Sequence, residues 1–147
     1  MLNSVSKKIF TEIIALSEQN LSTNKVPIAA IIFDYKNQKI VSKAVNTDSP
    51  IGHAEMEAIR DALEKKNTTR LDDCDIYVSI EPCLMCAGAS YWAQLNKIVF
   101  GASDEKRGFQ NKAGLVLHPK TECVKGVMAE ECAQLLTDFF ASKRELK

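Results

Sequence analysis

The chain carries no net charge, its 19 Lys and Arg balancing 19 Asp and Glu over 147 residues. That balance argues against a polybasic tail or a strongly cationic nucleic-acid binder, but leaves room for a local basic patch. No apolar run approaches the roughly 20 residues of a membrane-spanning helix, the stretch 26–33 being far shorter. Lys7 and Lys8 precede a mixed, amphipathic segment instead of a continuous apolar one, so no secretory signal is expected. A cytoplasmic location follows, where thiols stay reduced. The five cysteines, an odd number, are then expected as metal ligands and buried thiols, not as a disulfide framework. Internal repeats, low-complexity tracts and linkers are also missing. The length suits a single domain, residues 1–147, with its own hydrophobic core.

The informative residues lie in two short stretches. His53-Ala54-Glu55 and Pro82-Cys83-Leu84-Met85-Cys86 together form H-x-E…P-C-x-x-C. One histidine and two cysteines are three metal ligands; they leave the fourth position of a tetrahedral zinc open for water, as a catalytic site requires. Pro82 suits the first turn of a helix. Cys83 and Cys86, three apart, then project from one face of that turn, where the helix dipole favours thiolates. Glu55 lies close to His53 but points differently. It is the expected proton carrier, taking a proton from water and delivering protons to a ring nitrogen and a departing amine. The four residues reproduce the signature of the zinc-dependent nucleobase deaminases, with one Zn2+ per chain. Taken singly, each has a blander reading: a redox or buried cysteine pair, a packing histidine, a solvated carboxylate at a helix start. None of these explains the constellation. The second histidine, His118, stands beside Pro119 in a loop and reads as structural, or at most as a group on a pocket rim.

Hydrophobic spacing places these motifs on a scaffold. Val5, Ile9, Ile13 and Leu16, joined by Phe10 and Ile14, predict an amphipathic helix that ends near Asn24 and Lys25. Residues 28–33 predict a strand buried on both faces. A turn at 34–38 leads to a second strand at 39–45, and so short a connection makes an antiparallel hairpin. A helix from His53 to about Lys65, a strand at 75–80, the cysteine helix to about Ala93 and a strand at 97–101 follow. After a polar loop from 102 to about 114 comes the last helix, with Met128, Cys132, Leu135, Leu136, Phe139 and Phe140 on one stripe. Glu130 and Glu131 at its start, and Lys143 and Arg144 at its end, complement the helix dipole. Strands alternating with helices after a hairpin predict an α/β fold, a three-layer α/β/α sandwich with a mixed β-sheet.

On these motifs the chain resembles the cytidine deaminase-like superfamily, and within it most closely the bacterial tRNA-specific adenosine deaminases. Residues 26–30, 53–56, 81–89, 99–104 and 136–140 carry the resemblance, which spans nearly the whole chain. It implies Zn2+ held by His53, Cys83 and Cys86, with Glu55 as proton shuttle. It also implies that Asn46 hydrogen-bonds the base, that the main-chain N–H groups of Ala54 and Cys83 help orient the reacting groups, and that the protein is a homodimer. Asn46 can equally be read as a turn residue. The sequence departs from the family pattern at four places. The segment 46–53 is shorter, Ala29 replaces a common glycine, residues 90–93 resemble guanine deaminases, and the loop 108–126 is shorter. Ala29, Tyr91 and Trp92 thereby become candidate pocket-lining residues.

Three functions are compatible with this reading. The first converts adenosine to inosine in a tRNA anticodon loop, with the base splayed out of its stack into the zinc pocket. Lys106, Arg107, Lys112, Lys143 and Arg144 are then candidate RNA contacts, although each reads equally well as solvated surface. The second deaminates a free purine or pyrimidine base or nucleoside, guanine or cytosine above all, in a smaller pocket lined or covered by Tyr91 and Trp92. The third is a non-catalytic zinc-stabilised module that binds RNA or protein; it would have no need of Glu55.

Overall fold

Asn3 caps the first helix, α1 (Ser4–Ser22), by accepting the N–H of Ser6 at 2.8 Å. The helix buries Ile9, Phe10 and Ile13, as its periodicity predicts. In the computed structural model, which describes residues 3–111 and 116–145, α1 is followed by β1 (Ala29–Asp34) and β2 (Lys39–Val45). Then come α2 (Ala54–Lys66), β3 (Cys74–Ile80), α3 (Leu84–Ala93) and β4 (Lys97–Ala102). A 3-10 turn (Phe109–Asn111), a short β5 (Glu122–Val124) and α4 (Ala129–Glu145) follow.

The strands form one sheet in the order β2-β1-β3-β4-β5. β1 pairs antiparallel with both β2 and β3, whereas β3–β4 and β4–β5 are parallel. The sheet is mixed because the β1–β2 connection is a tight hairpin and the later connections are helical crossovers. Every residue of β1 is buried. Ala30 and Ile32 pack with Ile76, Val78, Ile98 and Phe100 beneath α2 and α3. Ala29, Ile31 and Phe33 pack with Tyr77 and Val99 beneath α1, with Cys132 of α4 in the same cluster. The result is the α/β/α sandwich expected from the sequence.

Three local details differ from expectation. Pro82 lies just before the cysteine helix, and Cys83 is its extended N-cap residue. The stripe on α4 divides: Cys132, Leu135 and Phe139 are buried, but Phe140 is half exposed. β5 falls beyond the predicted elements.

The hairpin end of the sheet carries a buried carboxylate. Asp34 accepts the Lys66 ammonium at 2.8 Å and the N–H groups of Lys36 and Asn37, and Lys66 also reaches Asp73 at 2.7 Å. Burial raises the Asp34 carboxyl, but Lys66 and Asn37 outweigh it and hold the group well below the usual carboxylate range. The functional motifs gather at the opposite end, past the C-termini of the parallel strands β3 and β4, where open α/β sheets place their ligands.

Candidate active site

Two helix N-termini converge on the site. His53 is the N-cap of α2 and Cys83 the N-cap of α3, both in extended conformation, while Cys86 lies within the first turn of α3. The helix dipoles give this corner a positive potential suited to anionic ligands. His53 Nδ1 lies 3.5 Å from the Sγ atoms of both Cys83 and Cys86, and the two sulfurs are 3.6 Å apart. A tetrahedral zinc with ordinary bond lengths has edges of about 3.8 Å between sulfurs and about 3.6 Å from nitrogen to sulfur. The donor triangle therefore fits that ion in size and chemistry. Among the described residues, it is the group of side chains placed to hold a metal.

The two thiols are shifted in opposite directions by the bond between them, Cys86 upward and Cys83 toward the thiolate. The bond from the Cys86 thiol outweighs burial and brings the Cys83 thiol down to about 5. Glu55 lies in the first turn of α2 and is 4 % exposed. Burial, reinforced by Cys83, pushes its carboxyl up to about 7, a value suited to exchanging protons near neutrality.

Beside the triangle is a cavity of about 440 Å³. His53, Glu55, Cys83 and Asn46 contribute one side; Leu136, Phe139 and Phe140 of α4 supply an apolar wall. Lys25, Arg107 and Lys143 also line it, and the first two are solvent-exposed. Asn46 follows β2 and is fixed at three points. Its N–H donates to Ile28 O at 3.0 Å, its carbonyl accepts the buried Asn20 amide at 3.0 Å, and its Oδ1 accepts the Ala54 N–H at 2.8 Å. The Ala54 N–H is thus committed to orienting Asn46. The segment leading to His53 closes on itself, Thr47 N–H and Oγ1 both donating to the Gly52 carbonyl at 2.9 and 3.0 Å. A Cβ on Gly52 would come within 1.9 Å of Thr47 Oγ1, so a larger residue there would displace the Thr47 hydroxyl that closes the turn.

Other expected pocket residues lie elsewhere. Strand alternation turns the Ala29 methyl into the core beneath α1, while Ile28 lines the cavity. Trp92 is 79 % exposed and lines a separate apolar groove with Ile51, Met56 and Leu63. Tyr91 packs between Trp92 and His118, with ring centroids 5.8 and 5.6 Å away. Of the candidate RNA contacts, Arg107 and Lys143 reach the cavity; Lys106 is exposed outside its lining. Lys112 and the side chain of Arg144 lie outside the described residues. Glu81 and Phe140 enter the lining unanticipated. Glu81 could have been noticed as a charge ending a buried strand. Phe140 is turned about 100° from Phe139 around the helix axis, so one stripe could not bury both.

No helix among the described residues is long and apolar enough to cross a membrane.

An α/β/α sandwich that brings a His-Cys-Cys triangle and a buried glutamate to one cavity defines a nucleobase deaminase of the cytidine deaminase-like class. The chain belongs to the MafB19-like deaminase family, whose model matches residues 5–144. The tRNA-specific adenosine deaminase of Rickettsia bellii (strain RML369-C) is 38 % identical over 146 residues, covering 91 % of this chain and 99 % of that protein. That of Bacillus subtilis (strain 168) is 37 % identical over 132 residues, with 84 % and 81 % covered. A structure from work on A-to-I editing by tRNA:A34 deaminases superposes with a TM-score of 0.78 at 27 % identity, covering 88 % of this chain and 99 % of the other. A guanine deaminase from Nitrosomonas europaea has a TM-score of 0.78 at 23 % identity, with 89 % and 82 % covered, which is a likeness of fold alone.

Proposed function

We infer that this chain is a zinc-dependent hydrolytic deaminase that converts adenosine to inosine in a tRNA anticodon loop, releasing ammonia. The observation that carries this reading is the placement of buried Glu55 beside the His53–Cys83–Cys86 triangle, in a cavity also lined by basic and aromatic side chains. The tRNA-specific names of the relatives support the substrate.

His53, Cys83 and Cys86 would hold one zinc per chain. When bound, the ion supplies a Lewis acid that makes water acidic enough to react near neutral pH. Glu55 accepts the proton lost by the attacking water and passes protons to the ring nitrogen and the leaving amine. In balance, C6 gains oxygen, loses its amino group as ammonia, and consumes one water. Asn46 spends its Oδ1 on Ala54 and so offers its amide N–H groups to the base. Leu136, Phe139 and Phe140 give a flat heterocycle an apolar surface and keep bulk water from it. Arg107 and Lys143 supply positive charge for the polynucleotide backbone.

The chain would act in the cytoplasm, as one domain per protomer of a homodimer. Exposed Ile51 and Trp92 beside a groove of about 630 Å³ support such a partner face.

A second reading, deamination of free guanine, rests on the guanine deaminase-like residues 90–93. Tyr91 and Trp92 lie outside the cavity lining, which favours the first reading. Ammonia release from an anticodon stem-loop with a wobble adenosine, adenosine, guanine, cytosine and cytidine decides between them. The expected result is turnover of the stem-loop; turnover of a free base without it overturns the proposal.

A further inference from the structure

The Glu81 side chain and a backbone bridge fasten the loop 103–111 to the corner that carries Cys83. Glu81 is 4 % exposed, and its carboxylate divides between the two ends of that loop. Oε1 accepts the N–H of Asp104 and Oε2 that of Gln110, both at 3.0 Å. Between them Gly108 forms an antiparallel bridge with Cys83, and the Phe109 N–H donates to the Pro82 carbonyl at 3.0 Å. Within the loop, Asp104 Oδ1 accepts the N–H groups of Lys106 and Arg107 at 3.1 and 3.0 Å. A Cβ on Gly108 would lie 2.2 Å from Glu81 Cδ and 2.3 Å from Oε2, so the glycine and the carboxylate are fitted to each other.

An ionised carboxylate is an acceptor-only group, and its bonds to backbone N–H are short and strong. Two such bonds at opposite ends of one loop fix its register against Pro82 and Cys83. The register matters because adjacent side chains in the loop differ in position: Arg107 lines the cavity and Lys106 does not. A planar guanidinium at that position can bind a phosphate through two parallel hydrogen bonds.

We propose that Glu81 is a positioning residue for substrate recognition, clamping the loop so that Arg107 meets a backbone phosphate next to the base that enters the cavity. The proposal rests on the polynucleotide reading given above. Glu81→Gln preserves size but turns one acceptor toward an amide as a donor. Gly108→Ala strains the same contact from the loop side and serves if the first variant does not fold.

Either variant should speed amide hydrogen exchange at Asp104 and Gln110 and raise KM for the stem-loop about tenfold, the scale of one charged hydrogen bond. The change in kcat should stay well below the change in KM. Arg107→Ala should raise KM similarly, and adding Glu81→Gln to it should have little further effect, since both remove one contact. An unchanged KM in folded variants, a loss confined to kcat, or additive effects in the double variant would overturn the clamp while leaving the deaminase reading intact. Wild-type turnover of guanine without the stem-loop would overturn the substrate reading and the phosphate contact with it; amide exchange would still report whether Glu81 holds the loop.

Discussion

Asn46 Oδ1 accepts the backbone N–H of Ala54 at 2.8 Å, joining the end of β2 to the residue after His53. The bond caps an otherwise open N–H at the start of α2 and fixes the amide of Asn46 relative to the donor triangle. Asn46→Asp keeps the acceptor and loses the amide donors, whereas Asn46→Ala loses both. Steady-state kinetics should show kcat/KM falling about 10- to 100-fold in Asn46→Asp and further in Asn46→Ala. Metal content should remain at the wild-type level in Asn46→Asp.

Metal should be integral to the site. Elemental analysis of protein purified without chelators is expected to find one zinc per chain. Replacing Cys86 with Ala should abolish it. Stripping the metal should lower the melting temperature, because an ion that binds only the folded chain stabilises it.

Gly52→Ala tests the turn that delivers His53. Its new methyl collides with Thr47 Oγ1, so the loop must shift. The expected outcome is at least a tenfold loss of zinc affinity in a competition titration, with partial recovery in Gly52→Ala/Thr47→Ala. Recovery identifies the collision as the cause.

The ion cluster at the far end of the sheet predicts a pH dependence of stability. Asp34 is depressed in the folded state, so its contribution is present above about pH 4 and lost as pH falls further. Lys66 is raised, so its contribution is present below about pH 10 and lost as pH rises beyond it. Denaturant titrations should show a plateau between these limits. Lys66→Met leaves Asp34 buried without its cation; because Lys66 is partly exposed, the cost at pH 7 should be about 2–3 kcal/mol. Its acid limb should be shallower than that of the wild type.

Much of this site is local in the chain and therefore visible in it. Cys83 and Cys86 share one helical turn, and His53 and Glu55 share another, so spacing assembles each half of the site, while the fold brings the two helix starts together. The strand at 29–34 was also legible, from its unbroken apolar run. That same continuity concealed which face is which: with both sides buried, nothing in the pattern showed that Ala29 turns away from the cavity. Glu81 was missed because its partners, Asp104 and Gln110, are 23 and 29 residues away and bind through backbone N–H groups. The commitment of the Ala54 N–H to Asn46 is hidden likewise, since it depends on how the 46–53 turn closes. β5 has only three residues, too few for alternation to register.

The His53–Cys83–Cys86 site, with Glu55 as its proton carrier, is expected to deaminate a wobble adenosine. The most direct test measures inosine formed in a single turnover of an anticodon stem-loop, comparing wild type with Glu55→Gln at equal zinc content. The wild type should form inosine, and the variant should lose about 10³-fold in rate, the scale of a missing general acid–base group. Equal rates for the two proteins, or no inosine from the zinc-loaded wild type, would contradict that expectation.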